Sequence, residues 1–92
     1  MDIFESNRHH RLSPQEKLIL RALAMKGPAT SGQVEDRLSK AGSVVKNCAR
    51  HLHDLDVHHL VRKYGTHYGQ GNRPHPVWII TSQGQAALKE AS

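Results

Sequence analysis

The sequence predicts a mainly α domain that carries one small β-hairpin, an α+β class, in the order helix, helix, helix, strand, loop, strand, helix. Three observations predict it. Helix-start signals recur at Ser13, Thr30 and Ser43, and each is followed by apolar residues at three- and four-residue spacing. After Leu55 that period stops, and Leu60 to Tyr64 and Val77 to Thr81 read as strands flanking a stretch rich in glycine, histidine and proline. A last hydroxyl, Thr81 or Ser82, then stands before Ala86, Ala87 and Leu88, the apolar side of a closing helix.

The elements follow in order. Residues 1–12 mix acids, arginines and adjacent histidines without any period, which predicts a flexible N-terminal arm ahead of one domain over 13–92. Ser13, Pro14 and Glu16 combine a capping hydroxyl, a proline at the first helical position and a carboxylate that can reach back. Leu18, Ile19, Ala22 and Leu23 form the buried stripe of the first helix, and Gly27-Pro28 stops it, so it spans about 14–26. Thr30 and Gln33 repeat the capping logic for a short second helix with Val34 and Leu38 four apart, and Lys40, Ala41 and Gly42 form its exit. Ser43 caps a third helix of about 44–57, with Val45, Ala49, Leu52 and Leu55 on its inner face. Two helices meeting across a turn of a few residues have the sequence shape of a helix-turn-helix, whose second helix is presented to the DNA major groove. In the hairpin, Trp78 sits in an alternating apolar strand and is expected in the core, Tyr64 is expected over the hairpin base, and Tyr68 is left near the loop tip.

Composition narrows the function. The 92 residues make one domain, and an apolar fraction of 37% suffices for one small core. Thirteen Lys and Arg against eight Asp and Glu leave a formal charge of +5, and eight histidines add positive charge in mild acid, so acidic partners are favoured. One cysteine, Cys48, forms no internal disulfide, the first residues lack the apolar stretch of a signal peptide, and no run approaches the roughly 20 apolar residues that span a bilayer. An intracellular, cytoplasmic protein with no membrane association is expected. Catalysis has little support: there is no glycine-rich phosphate loop, no nucleophile elbow, and Asp54 and Asp56 lie two apart on a helix. Cys48 and His51 are three apart, but no second pair stands at zinc-site spacing, so Cys48 is expected to be a small core residue and no metal or other cofactor is expected.

Two stretches carry a family resemblance. Leu52, Leu55, Leu60 and Val61 resemble the exit of a recognition helix into a wing, and Ile80, Thr81, Ser82, Gln83 and Gly84 resemble the junction between the last wing strand and the closing helix. Together they are similar to the winged helix-turn-helix domains of MarR-type and PadR-type transcriptional regulators, over roughly residues 13–90. The resemblance implies three helices, a two-stranded wing and a closing helix, and it implies a transcriptional regulator. Family members often carry glycine where His59 stands, so the turn after helix three is either longer or places this histidine in the left-handed conformation. Extra helices for dimerisation and effector binding have no counterpart in this chain, and no small-molecule effector is expected.

On this reading Ser43, Lys46, Asn47 and Arg50 cluster at the amino-terminal end of helix three, with Asn47 and Arg50 expected to contact bases: asparagine pairs bidentately with adenine and arginine with guanine. Arg62, Lys63 and Arg73 lie in a stretch from Val57 to Lys89 without a single carboxylate, which suits a wing on the phosphate backbone or in the minor groove. The expected partner is double-stranded DNA, bound by a homodimer on two half-sites. The alternative is a protein-interaction module that docks on an acidic partner.

Overall fold

Two capping boxes set the first two helices. Ser13 Oγ accepts the Glu16 N–H at 3.2 Å while the Glu16 carboxylate accepts the Ser13 N–H at 2.9 Å, which satisfies two of the donors that a helix start leaves unpaired. The structure is a computed structural model that describes residues 11–91, and in it α1 runs Pro14–Lys26. Residues 1–10 of the expected arm lie outside the described residues. Leu12, assigned to that arm by sequence, instead joins the core at 8% exposure. Thr30 and Gln33 form the second box, with bonds of 3.2 and 3.0 Å, ahead of α2 at Ser31–Lys40. Arg37 on α2 donates to the carbonyl oxygens of Gly27 at 2.9 Å and Pro28 at 3.4 Å, which ties the α1–α2 connection down.

The third helix starts later than the sequence predicts. Gly42 at φ 87° closes α2: its N–H donates to the Ser39 carbonyl at 3.0 Å, and the Ser43 N–H donates to the Leu38 carbonyl at 2.8 Å. This is a Schellman termination, and it makes Ser43 the last residue of the α2 exit instead of the cap of the next helix. Val44 is exposed and Val45 turns into the core, so the connection runs through 41–47 before α3 begins at Cys48–Val57. Asn47 stands at the N-cap in the left-handed conformation, φ 57° and ψ 43°, and makes no side-chain capping bond. The inner face of α3 is Cys48, Leu52 and Leu55, all 0% exposed, while Ala49 faces outward.

A second Schellman pattern ends α3. The Leu60 N–H donates to the Leu55 carbonyl and the His59 N–H to the Asp56 carbonyl, both at 2.9 Å, with His59 at φ 62°. Histidine thus occupies the left-handed position in a short turn, the second of the two options left by the sequence.

β1 (Val61–Tyr68) and β2 (Pro74–Ile80) form an antiparallel hairpin longer than the strands predicted, with Val61 opposite Ile80 and Tyr68 opposite Pro74. Tyr64 and Gly65 together face one residue of β2, a β-bulge in which Gly65 takes φ 86°. Ala29 adds a single rung to the other edge of β2, exchanging bonds of 3.1 and 2.8 Å with Trp78. Trp78 is 1% exposed and belongs to the core, as predicted. Tyr64, by contrast, is 59% exposed at the bulge and covers nothing at the hairpin base.

α4 (Ser82–Ala91) is capped by Thr81, whose Oγ1 accepts the Gly84 N–H at 2.9 Å and donates to the His59 carbonyl at 2.6 Å. One hydroxyl therefore starts the closing helix and pins it to the turn that ends α3. Gly84 is buried against that turn, and a methyl group there would overlap the Leu60 carbonyl oxygen. α4 packs on α1, and the core gathers α1, α2, α3 and the base of the hairpin.

Candidate nucleic-acid interface

Four residues of the α2–α3 turn and of α3 are placed by these two terminations. Lys46 and Asn47 are exposed immediately before α3, and Arg50 is exposed in its first turn, so these three come together at one helix end. Ser43 does not join them: it is half-buried, it lines the groove between α1 and α2, and Val44 and Val45 separate it from Lys46. Ala49, His53, Asp54 and Val57 complete the outward side of α3. Asp54, considered by sequence only as half of a carboxylate pair, lies one turn after Arg50 on that side and sets a negative charge beside it.

The hairpin follows the carboxyl-terminal end of α3 and is exposed along β1 from Arg62 to Tyr68. Arg62 and Lys63 are adjacent on a strand and so point to opposite faces of the hairpin. Lys63 stands opposite Trp78 and holds its Nζ 5.7 Å from the centre of the indole, whereas Arg62 stands opposite Ile79 and is exposed. Arg73 follows a turn closed by the Asn72 N–H on the Gly69 carbonyl at 3.0 Å and the Gly69 N–H on the Arg73 carbonyl at 3.1 Å. Gly71 and Asn72 take φ 72° and 59° there, so the tip has a defined shape built from residues that tolerate the left-handed region. Tyr68, 65% exposed, lies beside it.

Solved structures share the arrangement over most of the chain. A PadR-like transcription factor from Bacteroides fragilis matches with a TM-score of 0.67 at 23% sequence identity, over 82% of this chain and 73% of its own. A candidate transcriptional regulator from Thermoplasma acidophilum matches with a TM-score of 0.69 at 16% identity, over 85% and 76%. A PadR family transcriptional regulator from Eggerthella lenta matches with a TM-score of 0.60 at 17% identity, over 96% and 70%. The fold is a winged helix-turn-helix. No protein-family model and no curated protein matches the sequence, so the likeness is one of architecture.

In winged-helix terms, α2 and α3 are the helix-turn-helix pair, β1 and β2 are the wing, and Ala29 pairs with β2 as a single-residue bridge. The remaining chemistry is sparse. Among the described residues no group of three or more His, Cys, Asp or Glu side chains is placed to hold a metal ion, and His67 and His75 face each other across the wing as an exposed pair. Cys48 is fully buried; burial, reinforced by the charge of Glu35, pushes its thiol up to about 12. A thiol so disposed is a core residue, as the sequence predicted, and not a nucleophile. No helix among the described residues is long and apolar enough to cross a membrane.

The contact of His53 with the core is what sequence reasoning missed. His53 is exposed on α3, yet its ring meets Trp78 of β2 edge-on, with centroids 5.5 Å apart and planes at 83°. Its partner lies 25 residues away in the chain, and no local pattern announces the contact.

Proposed function

We propose that this chain binds double-stranded DNA in a sequence-specific manner as a small transcriptional regulator, with the start of α3 in the major groove and the wing on the adjacent backbone or minor groove. The observation that carries the reading is the pairing of Lys46, Asn47 and Arg50 at one helix end with an exposed, acid-free wing bearing Arg62, Lys63 and Arg73. Cations on two separate projections suit a polyanion with a groove between its charged rails. The regulators that share the fold support the same reading. Asn47 adds a further reason: a non-glycine residue held left-handed whose amide caps nothing has its hydrogen-bonding groups available to a base edge. The protein acts as a homodimer on two half-sites in this reading, without a cofactor and without catalysis.

Fluorescence anisotropy with a mixed-sequence duplex at several salt concentrations tests it. Each phosphate contact contributes about 0.9 to the slope of log affinity against log salt, so a slope of several units is expected. No binding at low salt overturns the reading. The rival is then a protein-interaction module, for which the apolar groove between α1 and α2 is the surface to probe: Leu18, Ala22, Met25 and Leu38 line it, and Arg21, Lys26 and Arg37 bring positive charge. On a selected site, Asn47→Ala and Arg50→Ala should each cost about 1 to 3 kcal/mol and relax sequence preference at one position. Unchanged affinity and preference in both variants would remove α3 from the major groove.

A further inference from the structure

Three elements meet on one indole ring. His53 from α3 sets its edge against Trp78 of β2, and Lys63 from β1 places its ammonium over the same ring system. Trp78 itself is fixed, since it is 1% exposed and its backbone exchanges two hydrogen bonds with Ala29. His53 and Lys63 are both exposed. A side chain that is open to solvent contributes little to the core, and removing it leaves no cavity. What the His53–Trp78 contact constrains is the placement of α3 relative to the wing.

We propose that His53 is a positioning residue that locks the angle between α3 and the wing so that both arms reach the same stretch of duplex. The inference rests on the DNA-binding reading given above. Two arms of one binding site reinforce each other to the extent that their geometry is set before binding, because an unfixed arm must be ordered on the DNA. An edge-on ring pair is a device of suitable strength, while Lys63 over the indole joins β1 to β2 within the wing and helps hold the ring that His53 meets. Lys63 therefore differs in role from its neighbour Arg62, which faces away and is free to meet phosphate.

The test uses the full chain and a selected duplex, with His53→Ala and His53→Phe. His53→Ala should lose about three- to tenfold in affinity, while His53→Phe, which keeps a ring edge against the indole, should stay within about twofold of the native protein. Arg73→Ala should cost less in the His53→Ala background than in the native one, because the wing is no longer held in place. Trp78 is the sole tryptophan, so its emission reports the contact without DNA and should change in His53→Ala, with the melting temperature nearly unaltered. Unchanged emission overturns the contact. Changed emission with unchanged affinity, or a His53→Phe variant as weak as His53→Ala, overturns the positioning role. A native protein with no salt-dependent binding overturns the DNA reading instead, and the positioning role with it.

Discussion

Gly84 and Cys48 show how single residues hold this domain together. Gly84 is needed because α4 starts against the Leu60 carbonyl oxygen, where even one methyl group would collide with backbone that cannot swing aside. Gly84→Ala should destabilise the protein by about 1 to 3 kcal/mol, a fall in melting temperature of about 4 to 8 °C per kcal/mol for a domain of this size, measurable by circular dichroism. A variant that melts with the native protein would mean that α4 does not dock on the turn. Cys48 carries a pH signature of the same kind. Its thiol is raised from about 9 to about 12 in the fold, so the folded state favours the protonated form. That contribution is fully present below the unfolded value and is lost as pH rises from about 9 toward 12. Native protein should resist thiol reagents in mildly alkaline solution and lose stability in stronger alkali, and Cys48→Ala should lose that alkaline component. Rapid labelling of the folded protein in mildly alkaline solution would contradict the burial.

Element boundaries reveal where local signals compete. The capping boxes at Ser13 and Thr30 and the hydroxyl at Thr81 appear in the structure as the sequence predicts, because a cap and its partner lie within four residues of each other. Ser43 looked like another cap, but Gly42 is two residues into the α2 exit and the backbone of Ser43 completes that termination. The same residue cannot close one helix and open the next, so α3 begins at Cys48 and the proposed reading end is left to Lys46, Asn47 and Arg50. The wing was legible as a hairpin and not in its length. Pro74 and Pro76 lie in β2, and the Gly65 bulge reconciles two strands whose residue counts differ. Arg62 and Arg73 are the wing cations free of the indole, and replacing both with alanine should lower the salt slope of DNA binding by about two units while weakening all sequences alike. An unaltered slope would place the wing off the DNA.

At the scale of the molecule, the two arms and the core divide the work. Ile19, Leu20, Leu23, Val34, Leu52, Leu55, Val61 and Trp78 are almost wholly buried and join three helices to the base of the hairpin. Exposed cations lie outside that core, where their charge stays solvated. Five of the thirteen Lys and Arg, Lys46, Arg50, Arg62, Lys63 and Arg73, lie around the start of α3 and on the wing, and association with duplex DNA should be fast and strongly salt-dependent. A homodimer would place two such faces one helical turn apart on DNA, and sedimentation with and without a palindromic site measures it. A monomer in both conditions would restrict the protein to a single half-site.

By itself the sequence determined the order of elements, the two capping boxes, the hairpin, the burial of Trp78 and Cys48, and the basic character of the candidate interface, because each of these follows from residues within a few positions of one another or from composition. Only the tertiary structure decided which residues share a surface. The register between Lys63 and Trp78, the approach of α4 to Leu60 that requires Gly84, and the contact of His53 with an indole 25 residues away all depend on long-range packing. The late start of α3 lies between the two cases: its cause is local, but two overlapping local signals were in conflict and the burial of Val45 and Cys48 accompanies the later start.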